Sequence, residues 1–279
     1  MISKNRNAIF EFLVTSNLFA ALYATSVCLI TLYLTNHPLL FILPLTAFSG
    51  TLLIYTMNRY TDRKEDIINN PFRFQYLERF GKATLSIAIG LYLLSLFFLL
   101  QLNLATFLIA LLPIFIAIIY SVFRLKRVFL LKNISVSLGI LCSVLIVMVT
   151  FNDFTIFSLL LSSFFFLNFL INTIIFDVKD IEGDVRYGIG TLPGKYGLKK
   201  TKMVCYALLL VSVLLIPVLI SFTQKSYLLL AYVLYIGLYV TFADDPDKLP
   251  SWYYGIFVDG ENLFLCACCS IVIALKMLL

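Results

Sequence analysis

The sequence predicts an all-α, polytopic membrane protein built as a bundle of nine transmembrane helices. Three observations predict it: a high apolar content, long charge-free blocks broken only by turn signals, and basic residues gathered on one side. Of 279 residues, 61% are apolar and 13% charged, with a mean hydropathy of +0.99. Soluble domains carry about a quarter charged residues. One domain spanning 1–279 accounts for the chain, because no stretch reads as a soluble module or flexible linker.

The first span follows the start MISKNRNA and runs from Phe12 to Leu34. It is longer than a signal-peptide core and lacks a small-residue cleavage pattern, so it reads as permanent. From Glu11 to Arg59 there are 47 intervening residues without Asp, Glu, Lys or Arg, turned at Asn36-His37-Pro38. That length fits two spans of about 20 residues and a tight turn. The pattern recurs at 83–123 with a turn near Gln101 to Asn103, at 133–176 interrupted only by Asp153, and at 203–243 interrupted only by Lys225. Four hairpins give eight helices, and the apolar segment ending at Leu279 gives the ninth.

Of the 21 Lys and Arg residues, 19 fall at the N-terminus and in the loops after the second, fourth, sixth and eighth spans. Only Lys225 and Lys276 fall on the other side. The positive-inside rule puts the N-terminus in the cytoplasm and the C-terminus outside. This distribution explains the formal +6 charge through orientation in a lipid bilayer, with no nucleic acid involved and no obligate protein partner evident. The six cysteines all lie in apolar segments and read as small buried residues. A lone His37 leaves no zinc ligand set, so a metal here is held by oxygen.

Two acidic stretches share the cytoplasmic side. NRYTDRKED places Asn58, Asp62 and Asp66 at i, i+4, i+8, and DVKDIEGD places Asp177, Asp180 and Asp184 at i, i+3, i+7. Either spacing lines one face of a helix. Asp62 and Asp66 recur 118 residues later as Asp180 and Asp184, a faint repeat on which nothing is built. Alone, either motif reads as a solvated loop. Together, at helix ends on one side, they outline a central cavity open to the cytoplasmic side. Carboxylates without His or Cys suit Mg²⁺, which commonly bridges them to substrate phosphates.

The paired motifs, the tail GIGTLPGKYG at Gly188 to Gly197, and Tyr120-Ser121 with the Arg124 to Arg127 run together resemble the UbiA superfamily of intramembrane prenyltransferases. The resemblance covers the whole chain; the family's first motif often has Asp where this chain has Arg59. It implies a Mg²⁺-dependent transfer from a prenyl diphosphate to a lipophilic acceptor, with an aromatic quinone precursor favoured over a glyceryl-phosphate lipid or tetrapyrrole. It further implies that Asn58, Asp62, Asp66, Asp177, Asp180 and Asp184 bind Mg²⁺ and the diphosphate of the donor, Asn58 being a substrate-binding residue as well as a metal ligand. Asp62, Asp66, Asp180, Asp184, Tyr120 and Lys126 would then form the catalytic set. Arg63, Arg73, Lys126 and Arg186 are candidates for the phosphates, or else set topology alone. A terpene cyclase using the same ionisation is the alternative. A cation-coupled transporter fits less well, because the middles of the spans carry almost no charge.

Tyr120, Tyr55 and Phe176 lie near cytoplasmic helix ends, where ring faces stabilise a carbocation. Asn168 and Asn172 are polar groups inside a span. They either line an acceptor pocket, which makes Asn172 a substrate-binding candidate, or bond between helices; Asn17 has the same two readings. Asp244, Asp245 and Asp247 read as an exposed turn. Asp259 and Glu261 enter the membrane if the last helix starts near Tyr254, and stay outside if it starts near Leu263.

Overall fold

The structure is a computed structural model that describes residues 8–61, 71–123, 125, 128–186, 188–250 and 252–278. Asp62, Arg63, Asp66 and Lys126 lie outside the described residues. Within them the chain is helical, without strands. The elements are α1 (Ala8–Thr15), α2 (Leu18–Leu34), α3 (Ile42–Thr61), α4 (Pro71–Leu102), α5 (Leu104–Val122), α6 (Leu131–Phe151), α7 (Ile156–Phe176), a 3₁₀ turn (Asp177–Asp180), α8 (Ile181–Arg186), α9 (Leu192–Phe222), α10 (Leu228–Phe242), a π turn (Tyr253–Val258) and α11 (Glu261–Leu278). Helices satisfy every backbone polar group internally, which hydrocarbon demands.

Among the described residues, nine helices have fifteen or more residues, at the positions the sequence predicts. Seven are long and apolar enough to cross a membrane. Of the other two, α2 is apolar but has 17 residues, and α3 carries more polar side chains. The predicted first span is in fact broken. Thr15 and Ser16 bond back to the carbonyls of Phe12 and Leu13, and Asn17 turns into the left-handed region at φ 63°. Asn17 therefore caps α2 where a continuous helix was expected.

The turns follow their predicted chemistry. Asn103 caps α5 by accepting from the Thr106 amide at 2.7 Å, and Thr191 caps α9 by accepting from the Gly194 amide at 3.3 Å. Gly197, at φ +77°, then kinks α9, a conformation that favours glycine. The TLP tail thus sets the angle at which α9 leaves the second motif. On the opposite side, Lys225 donates to the Tyr33 carbonyl at 3.0 Å and to Asn36 Oδ1, placing a cation at the negative end of α2.

Two apolar cores hold the bundle. One joins α2, α6, α7, α9, α10 and α11 around Phe164, Phe165, Phe169 and Tyr232; the other joins α2, α3, α4, α5 and α6 around Leu43, Tyr92 and Leu99. α2 and α6 belong to both, so they form the partition against which the cavity is built. Gly50 lets α3 approach α4, since a Cβ there would meet Tyr92 Cε2 at 3.0 Å. Outward-facing residues such as Phe97, Leu214 and Leu234 are more than half exposed, an apolar perimeter suited to lipid.

Candidate active site

The cavity opens between α2, α3, α6 and α7 and is closed by the segment between α10 and α11. Its walls carry Tyr23, Tyr55, Asn172 and Phe176 beside the charged groups Arg59, Arg73, Lys132, Asp177, Asp180 and Asp259. It adjoins a second, mostly apolar channel along α3, α5 and α6. Thr51, Tyr55, Val136 and Ile140 belong to both walls. The polar chamber and the apolar channel thus share a boundary along α3 and α6.

The second motif supplies the acidic pole. The 3₁₀ turn tightens the chain just after α7, so its carboxylates leave the helix end at different heights. Lys132, in the first turn of α6, bridges Asp177 Oδ1 at 2.8 Å and Asp184 Oδ2 at 2.9 Å. Asn133 Nδ2 donates to the second oxygen of Asp177 at 2.8 Å. Asp177 and Asp184 are buried, whereas Asp180 lines the cavity with part of its surface open. Lys179 turns back over the Phe176 ring at 3.5 Å from its centroid.

Facing this pole, Asp259 lines the cavity at the foot of α11, while Asn172 donates to the Val258 carbonyl at 3.1 Å. Burial pushes the Asp259 carboxyl above its ordinary value, against the pull of Lys179 and Arg73 towards ionisation. Behind it Glu261 is fully buried and accepts hydroxyl donors from Tyr23 at 2.6 Å and Tyr239 at 2.7 Å. α11 starts between the two alternatives left open by the sequence, and both carboxylates lie inside the bundle. The Glu261 bond fixes the Tyr23 ring where it meets the cavity.

The structure brings together Asp177, Asp180, Asp184, Arg73 and Asn172. Asn58 and Tyr120 line the apolar channel instead. Arg186 is exposed and absent from both walls. Asn168 bonds to the Phe164 carbonyl within its own helix at 2.7 Å, and Asn17 accepts from Arg59 Nε at 3.4 Å while lining the cavity. Sequence reasoning missed Lys132, Arg59 and Lys179. Lys132 had a signal, since it stands one position before the charge-free block at 133–176.

Among the described residues, no group of three or more His, Cys, Asp or Glu side chains is gathered to hold a metal. The donors of the second motif nonetheless fit a hard cation in kind. They are all oxygen, and an ammonium already lies between two of them. Asp62 and Asp66, which complete the expected ligand set, fall outside the described residues.

The family model described as the UbiA prenyltransferase family matches residues 12–257. A digeranylgeranylglyceryl phosphate synthase from Korarchaeum cryptofilum is 30% identical over 195 residues, covering 68% of this chain and 67% of that protein. Among solved structures, a UbiA homolog from Archaeoglobus fulgidus bound to GPP and Mg²⁺ superposes with a TM-score of 0.69 at 18% identity, covering 95% of this chain and 99% of the other. An apo UbiA homolog from Aeropyrum pernix K1 gives a TM-score of 0.66 at 17% identity over 93% and 98% of the two chains. A structure concerned with digeranylgeranylglyceryl phosphate synthase in membranes gives 0.59 at 17% identity over 97% and 100%.

Proposed function

Because the chain belongs to the UbiA prenyltransferase family, we propose that it transfers an isoprenyl chain from a prenyl diphosphate, with Mg²⁺, to the hydroxyl of a glyceryl-phosphate lipid. The observation that carries this reading is the polar chamber abutting an apolar channel, with Asp177, Asp180, Lys132, Arg59 and Arg73 in the chamber walls. A diphosphate head matches the first space and an isoprenyl tail the second. The aromatic quinone precursor favoured from sequence gives way on the acceptor, since the relatives above whose names include a product are synthases of a glyceryl phosphate.

Asp180, with Asp62 and Asp66, would hold Mg²⁺, which neutralises the diphosphate and stabilises the charge that builds on it as it leaves. Arg59 and Arg73 face the same anion, and Arg63, Lys126 and Arg186 remain candidates for its outer oxygens. As the bond from donor C1 to the bridging oxygen breaks, positive charge forms on the allylic carbon. Tyr55 and Phe176, with Tyr120 farther along the channel, offer ring faces to it. The acceptor oxygen then bonds to C1 and its proton is released, with diphosphate as the other product. Asn172, in the chamber wall, is the candidate to meet the acceptor, and the apolar walls would exclude water that quenches the cation.

The test is an assay of purified protein with geranylgeranyl diphosphate and Mg²⁺, offered geranylgeranylglyceryl phosphate or 4-hydroxybenzoate. The proposal expects product with the lipid phosphate, none without Mg²⁺, and loss with Asp180→Ala or Asp62→Ala. Product with the hydroxybenzoate alone restores the quinone acceptor. A cyclised hydrocarbon formed without acceptor points to the terpene cyclase.

A further inference from the structure

Lys132 is a charged group in the cavity wall that the function above leaves without a role. Its ammonium meets two buried carboxylates at 2.8 and 2.9 Å, and the neighbouring Asn133 amide holds the remaining oxygen of Asp177. Both donors come from consecutive residues in the first turn of α6, whose N-terminal end is itself the positive pole of the helix. Asp180 has no such pair among the described residues and faces the cavity. The three aspartates of one motif therefore stand in two environments.

We propose that Lys132 is a resident counter-ion of the second aspartate motif: its ammonium stays between Asp177 and Asp184 when metal and donor bind, leaving Asp180 as that motif's metal-facing carboxylate. The proposal rests on the prenyl diphosphate reading for the ligand's identity alone. A cation entering between Asp177 and Asp184 has to expel an ammonium that α6 holds against both carboxylates. It also has to break the Asn133 bond. Metal arriving at Asp180 pays neither cost. Lys132 thereby acts as a positioning residue, fixing the backbone that presents Asp180.

The test measures the thermal midpoint of detergent-purified protein in EDTA and in Mg²⁺, without donor. Lys132→Met is expected to melt below wild type in EDTA, and to recover by roughly 5 °C in Mg²⁺ as the ion takes the vacated place. Wild type and Lys132→Arg should respond much less. A purely structural lysine gives the same Mg²⁺ response in all three proteins, and that result overturns the proposal. If Lys132→Met does not fold, a structure of wild type with Mg²⁺ and a geranylgeranyl thiodiphosphate analogue decides. Lys132 Nζ within about 3 Å of both carboxylates supports the proposal, whereas a metal ion between Asp177 and Asp184 sinks it. Lys132 in place with no analogue bound would remove the prenyl-donor reading and leave this one standing.

Discussion

Asp177 and Asp180 stand three positions apart in one motif, yet substitutions at them should have opposite signatures. Asp180 lines the cavity, so Asp180→Ala is expected to lower Mg²⁺-dependent turnover by about 100-fold or more while leaving the melting curve close to wild type. Asp177 is buried on Lys132 and Asn133, so Asp177→Ala should cost about 1–3 kcal/mol by leaving the Asn133 amide without its acceptor and Lys132 with Asp184 alone. Parallel melts and assays of the two variants separate these outcomes. A similar argument holds behind the cavity: Tyr239→Phe removes a hydroxyl donor from buried Glu261, leaving that of Tyr23, and should cost about 1–3 kcal/mol in denaturation. The spacing of the aspartates was legible in the sequence. That Lys132 would sit between two of them was not, because a basic residue at a cytoplasmic helix end reads first as a topology signal.

At the scale of elements, the hairpin turns on the side opposite the cavity are tied to one another. His37, between α2 and α3, pairs with Asp153, between α6 and α7, at 2.9 Å and stacks on Phe151 with ring centroids 4.3 Å apart. Burial works against ionisation of Asp153, but bonds from Ser158, His37 and Thr155 outweigh it and hold the carboxyl below its usual value. A carboxylate whose folded value is depressed adds stability above its unfolded value of 3.8 and loses it as pH falls through the folded value. Asp153→Asn should therefore cost about 1 kcal/mol of stability at neutral pH, read as a lower melting midpoint, and flatten the fall of that midpoint in acid. Charge-free blocks located these helices well. The break at Asn17 was hidden, since Thr15, Ser16 and Asn17 are compatible with a helix; the hydroxyls of Thr15 and Ser16 turn back to the backbone and Asn17 adopts the left-handed conformation.

For the whole molecule, the nine long helices among the described residues follow from hydropathy and turn signals, because lipid leaves few other ways to satisfy a backbone. Which faces turn inward was less legible, as helices apolar all round give no stripe to read. Orientation follows from the basic residues: the N-terminus and both acidic motifs are expected to face the cytoplasm. Single cysteines at Lys248 and Gln224, in a background lacking the native six, check this with a membrane-impermeant thiol reagent on intact cells. Gln224→Cys should label and Lys248→Cys should label only after lysis. The reverse pattern would invert the protein and move the chamber away from a cytoplasmic donor.

The central claim is that the chamber holds a prenyl diphosphate through Mg²⁺ and the aspartate motifs. The most direct measurement is the binding of geranylgeranyl diphosphate to purified protein, with and without Mg²⁺, beside Asp180→Ala. Binding that requires Mg²⁺ and disappears in the variant is the predicted result. Folded wild-type protein that binds neither this donor nor shorter ones would contradict the claim.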